Sequence, residues 1–113
     1  MEQDLMGVYY NKTLFAEHGI SLPTTYAEFQ AAAETFKSAG IVPVSFGNRG
    51  RWPATNTFSL ILGLTAGKAA EEAVLFGDTP WTNDAFKLAA ENFQAWANDG
   101  YFPRGFNGVG YDE

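Results

Sequence analysis

Residues 25–40 read Thr-Tyr-Ala-Glu-Phe-Gln-Ala-Ala-Ala-Glu-Thr-Phe-Lys-Ser-Ala-Gly, and this stretch decides what kind of fold the chain can build. Thr25 and Glu28 stand at the spacing of a capping box, in which the threonine hydroxyl accepts from the backbone of the third helical residue and the glutamate reaches back to the threonine N–H. Phe29, Ala32, Ala33 and Phe36 then recur at i, i+3, i+4 and i+7, the repeat of one buried face of an α-helix. Gly40 follows where a left-handed residue ends such helices, so a helix over 25–39 is expected.

Working outward, Asn11 can cap a small helix from Lys12 to His18, closed by Gly19, with Leu14 and Phe15 facing inward. Leu5 to Tyr10 is a short apolar run that reads as a buried strand, which would put Tyr9 and Tyr10 on opposite faces with one of them buried. Ile41 to Phe46 reads as a second strand, at an edge because Pro43 has no N–H to give to a ladder. Pro53 suits the first turn of a helix reaching Leu64, and Lys68 to Leu75 is a shorter helix. Asn83 or Thr82 can cap a long helix ended by Gly100, carrying Phe86, Ala89, Ala90, Phe93 and Ala97 inward. The tail from Tyr101 to Glu113 holds aromatics between three glycines and is expected to be irregular and to pack against something. Residues 1–113 are therefore expected to form a single domain of α/β (α+β) class, rich in helix.

Composition narrows the function. The chain has 113 residues, 46% hydrophobic and 16% aromatic, enough apolar surface for a core. Seven basic residues against thirteen acidic ones leave a charge of −6, which opposes nucleic acid and anionic membranes, since both need clustered positive charge. No apolar run approaches the ~20 residues of a membrane span. Without cysteine there is no disulfide, thiolate nucleophile or zinc–thiolate site. The opening Met-Glu-Gln-Asp is acidic where a signal peptide would be basic.

Most candidate chemistries find no arrangement to support them. His18, the only histidine, lies beside a helix-ending glycine, where the helix dipole accounts for it. Glu71-Glu72 and Asp112-Glu113 are adjacent carboxylates that diverge or lie at a terminus, unlike an acid–base pair held across a glycosidic bond. Asp78, Asn83 and Asp84 lack the alternating ligands and closing glutamate of a calcium loop. No catalytic residue, metal site or cofactor is expected.

One loop has the composition of a ligand site. Gly47-Asn48-Arg49-Gly50-Arg51-Trp52, with Asn56 on the helix that follows, sets two guanidinium groups, an indole and two amides at a strand-to-helix junction. Pyranose rings offer apolar C–H faces that stack on indole, and their hydroxyls need planar donors and acceptors such as Arg and Asn. The same composition also fits Trp52 as a core residue beside a solvated loop, and composition does not choose between the two. An anion held by Arg49 and Arg51 at the helix N-terminus ranks below the sugar. Two further readings stand beside these: a glycan-active domain, which would need a carboxylate pair the sequence lacks, and a helical protein-interaction module presenting Tyr9, Trp52 and Trp81.

Taken in order, Gly-Val-Tyr-Tyr-Asn-Lys-Thr-Leu-Phe (7–15), Gly-Ile (19–20), Pro-Thr-Thr-Tyr-Ala-Glu-Phe (23–29) and Ala-Gly-Ile-Val-Pro (39–43) resemble the family 1 extracellular solute-binding proteins. Trp52-Pro53, the Phe86–Gly100 segment with Tyr101-Phe102, and Gly-Phe-Asn-Gly (105–108) extend the resemblance over nearly the whole chain. It implies part of the C-terminal lobe of a two-lobed periplasmic-binding-protein-like fold whose lobes close on a sugar without chemistry. The closed form would then dock on an ABC transporter permease outside the cytoplasm, in the periplasm or anchored as a lipoprotein. By this resemblance the chain is a piece of a longer receptor, with the other lobe absent. The family's sugar-stacking aromatic falls on Trp52, with Arg51 and Asn56 as polar neighbours, Arg49 in the same loop and Asp4 matching a cleft acid. Aromatics that the other lobe would cover make a homodimer through that surface an expectation.

Overall fold

A computed structural model describes residues 6–113. Four helices follow one another: α1 (Lys12–Glu17), α2 (Tyr26–Ser38), α3 (Trp52–Leu75) and α4 (Asp84–Asn98), then a single 3₁₀ turn at Phe106–Gly108. Asp4 lies outside the described residues.

The helix ends follow from the local chemistry that marks them. Asn11 Oδ1 accepts from the N–H groups of Thr13 and Leu14 at 3.0 and 3.2 Å. Thr25 and Glu28 form the complete capping box, and the Glu28 carboxylate also accepts from the Thr24 N–H and hydroxyl at 2.7 and 2.8 Å. These bonds hold the Glu28 carboxyl below its ordinary range, those from Thr24 contributing most. Asn83 Oδ1 accepts from the Phe86 N–H at 3.2 Å to start α4. At the other ends α2 and α4 close alike: Gly40 and Gly100 both have φ of 76°, and the N–H groups of Ile41 and Tyr101 reach back to Phe36 and Trp96 at 2.9 Å each. At each end the glycine N–H also turns back, Gly40 to Lys37 at 3.0 Å and Gly100 to Ala97 at 3.3 Å; this pair of returns to orphan carbonyls is the Schellman motif, and it needs a residue without a Cβ penalty at positive φ.

α3 and α4 pack on each other and carry most of the core. Ile61, Leu62 and Val74 of α3 meet Phe86, Ala89 and Trp96 of α4, with Ala33 of α2 and the buried Phe46, Tyr101 and Phe102 completing the cluster. Much of this interior is aromatic. Phe102 lies 4.4 Å from Phe46 and 5.3 Å from Phe106 between ring centroids, and Trp96 lies 4.8 Å from Phe29. α1 joins through Phe15, edge-on to Phe36 at 5.1 Å, and His18 sits against the same Phe36 ring at 5.6 Å.

Several expectations are corrected. No strand forms among the described residues. Leu5, where the first was to begin, lies outside them, and the rest of that run is exposed, with Tyr9 95% and Tyr10 41% accessible, so neither tyrosine is buried. Ile41 to Phe46 has an irregular path with one long-range backbone bond, from the Val44 N–H to the Tyr101 carbonyl at 3.0 Å. A strand is stable only with a partner to take its alternate N–H and C=O groups, and the described part of the chain offers neither run one. The two helices expected from Pro53 to Leu64 and from Lys68 to Leu75 both form, as the two halves of α3, which is broken at Gly67 where φ 76° and ψ 164° leave the helical region; the first half runs a little past Leu64. On α4, Ala90 is exposed and Trp96 takes its place in the core.

Candidate functional site

The loop before α3 is built on its own asparagine. Asn48 Oδ1 accepts from the Ala54 N–H at 3.1 Å, satisfying one of the unpaired donors of the first turn of α3, while its Nδ2 donates to Asn107 Oδ1 at 2.8 Å. The Arg51 N–H returns to the Asn48 carbonyl at 2.9 Å, closing a tight turn. Arg51 then takes φ 65°, the one non-glycine residue at positive φ among those described. That conformation swings the chain into α3 and sets Trp52 at its first position.

Trp52 is not a core residue. Its side chain is 49% accessible, standing over Gly50, where an added Cβ would lie 3.1 Å from both Cδ1 and Nε1 of the indole. Asn56, one helical turn on, is exposed on the same face of α3. Arg51 is exposed beside them, and no ion pair to it occurs among the described residues. Trp52 and Asn56 thus share one exposed face at the start of α3, with Arg51 exposed at the adjoining N-cap position.

Arg49 is engaged differently. Its guanidinium meets Glu113 Oε1 at 2.7 Å, and its backbone N–H donates to the Val109 carbonyl at 2.9 Å. The Glu113 carboxyl is held below its ordinary range, first by the Gly110 N–H and then by Arg49. The Asn48 N–H donates to the Phe106 carbonyl at 2.8 Å, so the tail runs alongside the loop. Gly47 makes this approach possible, because a Cβ there would collide with the Gly110 carbonyl. Tyr111 is thereby carried to Trp52, with ring centroids 4.7 Å apart and planes tilted by 50°.

Tyr111, Asn107 and Glu113 were not among the ligand-site candidates read from the sequence: Asn107 entered only within the Gly-Phe-Asn-Gly match and Glu113 only as half of a dismissed carboxylate pair. What pointed to the tail as a partner of the loop was its run of glycines and aromatics, which marked it as a packing segment. An exposed indole and phenol in contact, bordered by an arginine and an amide, can stack on an apolar ring face and hydrogen-bond its polar rim.

Residues 3–112 match the family described as bacterial extracellular solute-binding protein, and the chain belongs to that family. It is 32% identical over 88 residues to an uncharacterized ABC transporter extracellular-binding protein of Pyrococcus horikoshii, covering 76% of this chain and 20% of that protein. It is 26% identical over 115 residues to the multiple sugar-binding protein of Streptococcus mutans, covering 97% of this chain and 27% of that protein. A solved structure from work on xylan utilization by the thermophilic bacterium Caldanaerobius polysaccharolyticus superposes with a TM-score of 0.82 at 34% identity, over 90% of this chain and 26% of that one. The chain thus spans about a quarter of the length of the proteins it matches, and its helix-rich fold is that of a segment of a solute-binding protein.

Proposed function

We propose that this chain is part of the C-terminal lobe of a non-catalytic carbohydrate receptor that serves an ABC importer outside the cytoplasm, and that Trp52, Arg51 and Asn56 form one wall of its sugar site. The observation that carries the reading is the placement of Trp52: a half-exposed indole at the first position of a helix, contacting Tyr111 and sharing its face with Asn56. Family membership, the sugar-binding relative and the xylan-related structure support the ligand class, and the ABC transporter relative supports the transport role.

In this reading the sugar lies between two lobes, one face on Trp52 and the other on groups of the second lobe. Binding shifts the population to the closed form because only that form makes both sets of contacts. The lobe described here would enclose one side of the ligand, so tight binding needs the whole receptor. The test is calorimetric titration of the full-length receptor with glucose, galactose, xylose and xylo-, cello- and malto-oligosaccharides, beside Trp52→Ala. Saturable binding lost in the variant upholds the reading. Absence of binding to every saccharide, with ligand-independent capture of a protein partner, would replace it with the interaction-module reading that the exposed Tyr9 and Trp81 also fit.

A further inference from the structure

The tail residues Tyr111 and Glu113 are far in sequence from the loop they meet, yet the loop is fastened to their segment at several points. Main-chain bonds run from Asn48 to Phe106 and from Arg49 to Val109, and the Asn48 amide bonds Asn107. Beyond Val109 the Arg49–Glu113 ion pair at 2.7 Å ties the loop to the tail, whose last turn is closed on itself by the Gly110 N–H to Glu113 Oε2 bond at 3.3 Å and the Glu113 N–H to Gly110 carbonyl bond at 3.4 Å. Tyr111 sits between these anchors with its ring 68% accessible and in contact with the Trp52 indole. The ring adjoins the Trp52 indole at a 50° tilt and enlarges its exposed aromatic surface.

We propose that Tyr111 is a second aromatic contact of the saccharide site, and that Arg49 acts as a positioning residue, holding Tyr111 against Trp52 through Glu113 rather than touching the ligand. This rests on the receptor reading above. An exposed ion pair alone contributes little to stability. Its role here is geometric: it removes freedom from a short glycine-flanked segment whose end must present a ring at a fixed angle, so that less ordering is left for the ligand to impose. Arg51, which makes no ion pair among the described residues, remains the guanidinium available to sugar hydroxyls.

The experiment uses the full-length receptor and the tightest-binding saccharide of the panel, with two readouts: the dissociation constant, and the indole N–H resonance of Trp52 in the unliganded protein, assigned by its loss in Trp52→Phe. Tyr111→Ala is expected to weaken binding about tenfold and to shift the Trp52 resonance as the neighbouring ring leaves, while Tyr111→Phe keeps both near wild type. Arg49→Ala and Glu113→Ala are each expected to weaken binding by about three- to fivefold and to move the Trp52 resonance toward its Tyr111→Ala position. The two losses should not add in the double variant, because both break one link. The charge-exchanged pair Arg49→Glu with Glu113→Arg should restore the resonance and most of the affinity. Unchanged affinity in Tyr111→Ala would overturn the contact. Unchanged resonance in Arg49→Ala and Glu113→Ala, or additive losses, would overturn the positioning role. Trp52→Ala separates these failures from that of the receptor reading: binding that survives it removes the site itself.

Discussion

The indole N–H of Trp96 donates to the Tyr26 hydroxyl at 2.9 Å, with the two rings nearly parallel at 12°, so the last turn of α4 is tied to the first residue of α2. Tyr26→Phe keeps the stack and removes the acceptor, leaving a nearly buried indole N–H without a partner. The variant is expected to lose about 1–2 kcal/mol of unfolding free energy, measured by urea denaturation, with no change in the slope that reports exposed surface.

Burial pushes the Tyr101 hydroxyl up to about 12, with the nearby Glu34 carboxylate adding to the shift. The folded state therefore holds a proton that the unfolded chain releases nearer 10, the ordinary tyrosine value. The stabilisation is full below that lower value and is lost as pH rises toward the upper one. Wild-type protein should lose stability more steeply than Tyr101→Phe over this alkaline interval, as read from denaturation midpoints at fixed pH. Parallel curves would show that the hydroxyl does not titrate as described.

How much of this was legible beforehand depends on the reach of the interaction. The caps at Asn11, Thr25 and Asn83 and the closures at Gly40 and Gly100 were readable because each joins residues a turn apart. The two strands were misjudged because pairing is a property of the partner, and a run such as Ile41 to Phe46 carries the same letters whether or not one is present. Trp96 was passed over for Ala90 because helical periodicity tolerates a rotation of the buried face by one residue, and the Tyr26 hydroxyl that settles it lies far back in the chain. The loop at Asn48 to Trp52 stood out by composition alone. Its partners Asn107, Tyr111 and Glu113 did not, since only the folded chain brings them beside it.

Arg51 is held at φ 65° without the freedom of glycine, a conformation that costs a residue with a Cβ about 1–2 kcal/mol. Arg51→Gly is expected to remove that strain and raise the unfolding free energy by up to about 1 kcal/mol, since glycine's larger unfolded-state entropy offsets part of the gain. The same variant should bind saccharide more weakly, because it deletes a guanidinium beside Trp52. A stability gain with a binding loss, measured by thermal denaturation and calorimetry on one preparation, is the expected pairing.

Gly47 faces the Gly110 carbonyl with no room for a side chain. Gly47→Ala should force the loop and tail apart at a cost of about 1–3 kcal/mol. Its effect should concentrate at the contact, so amide exchange of Asn48 and Arg49, whose N–H groups bond the tail, should accelerate more than exchange within α4.

The central claim is that a saccharide binds against Trp52, and calorimetry of the full-length receptor with and without Trp52→Ala tests it most directly. The account predicts saturable binding of at least one mono- or oligosaccharide by the wild type, and a loss of at least about tenfold in the variant with its unfolding midpoint unchanged, since the exposed indole contributes little to the core. Equal affinity in the two proteins would contradict it.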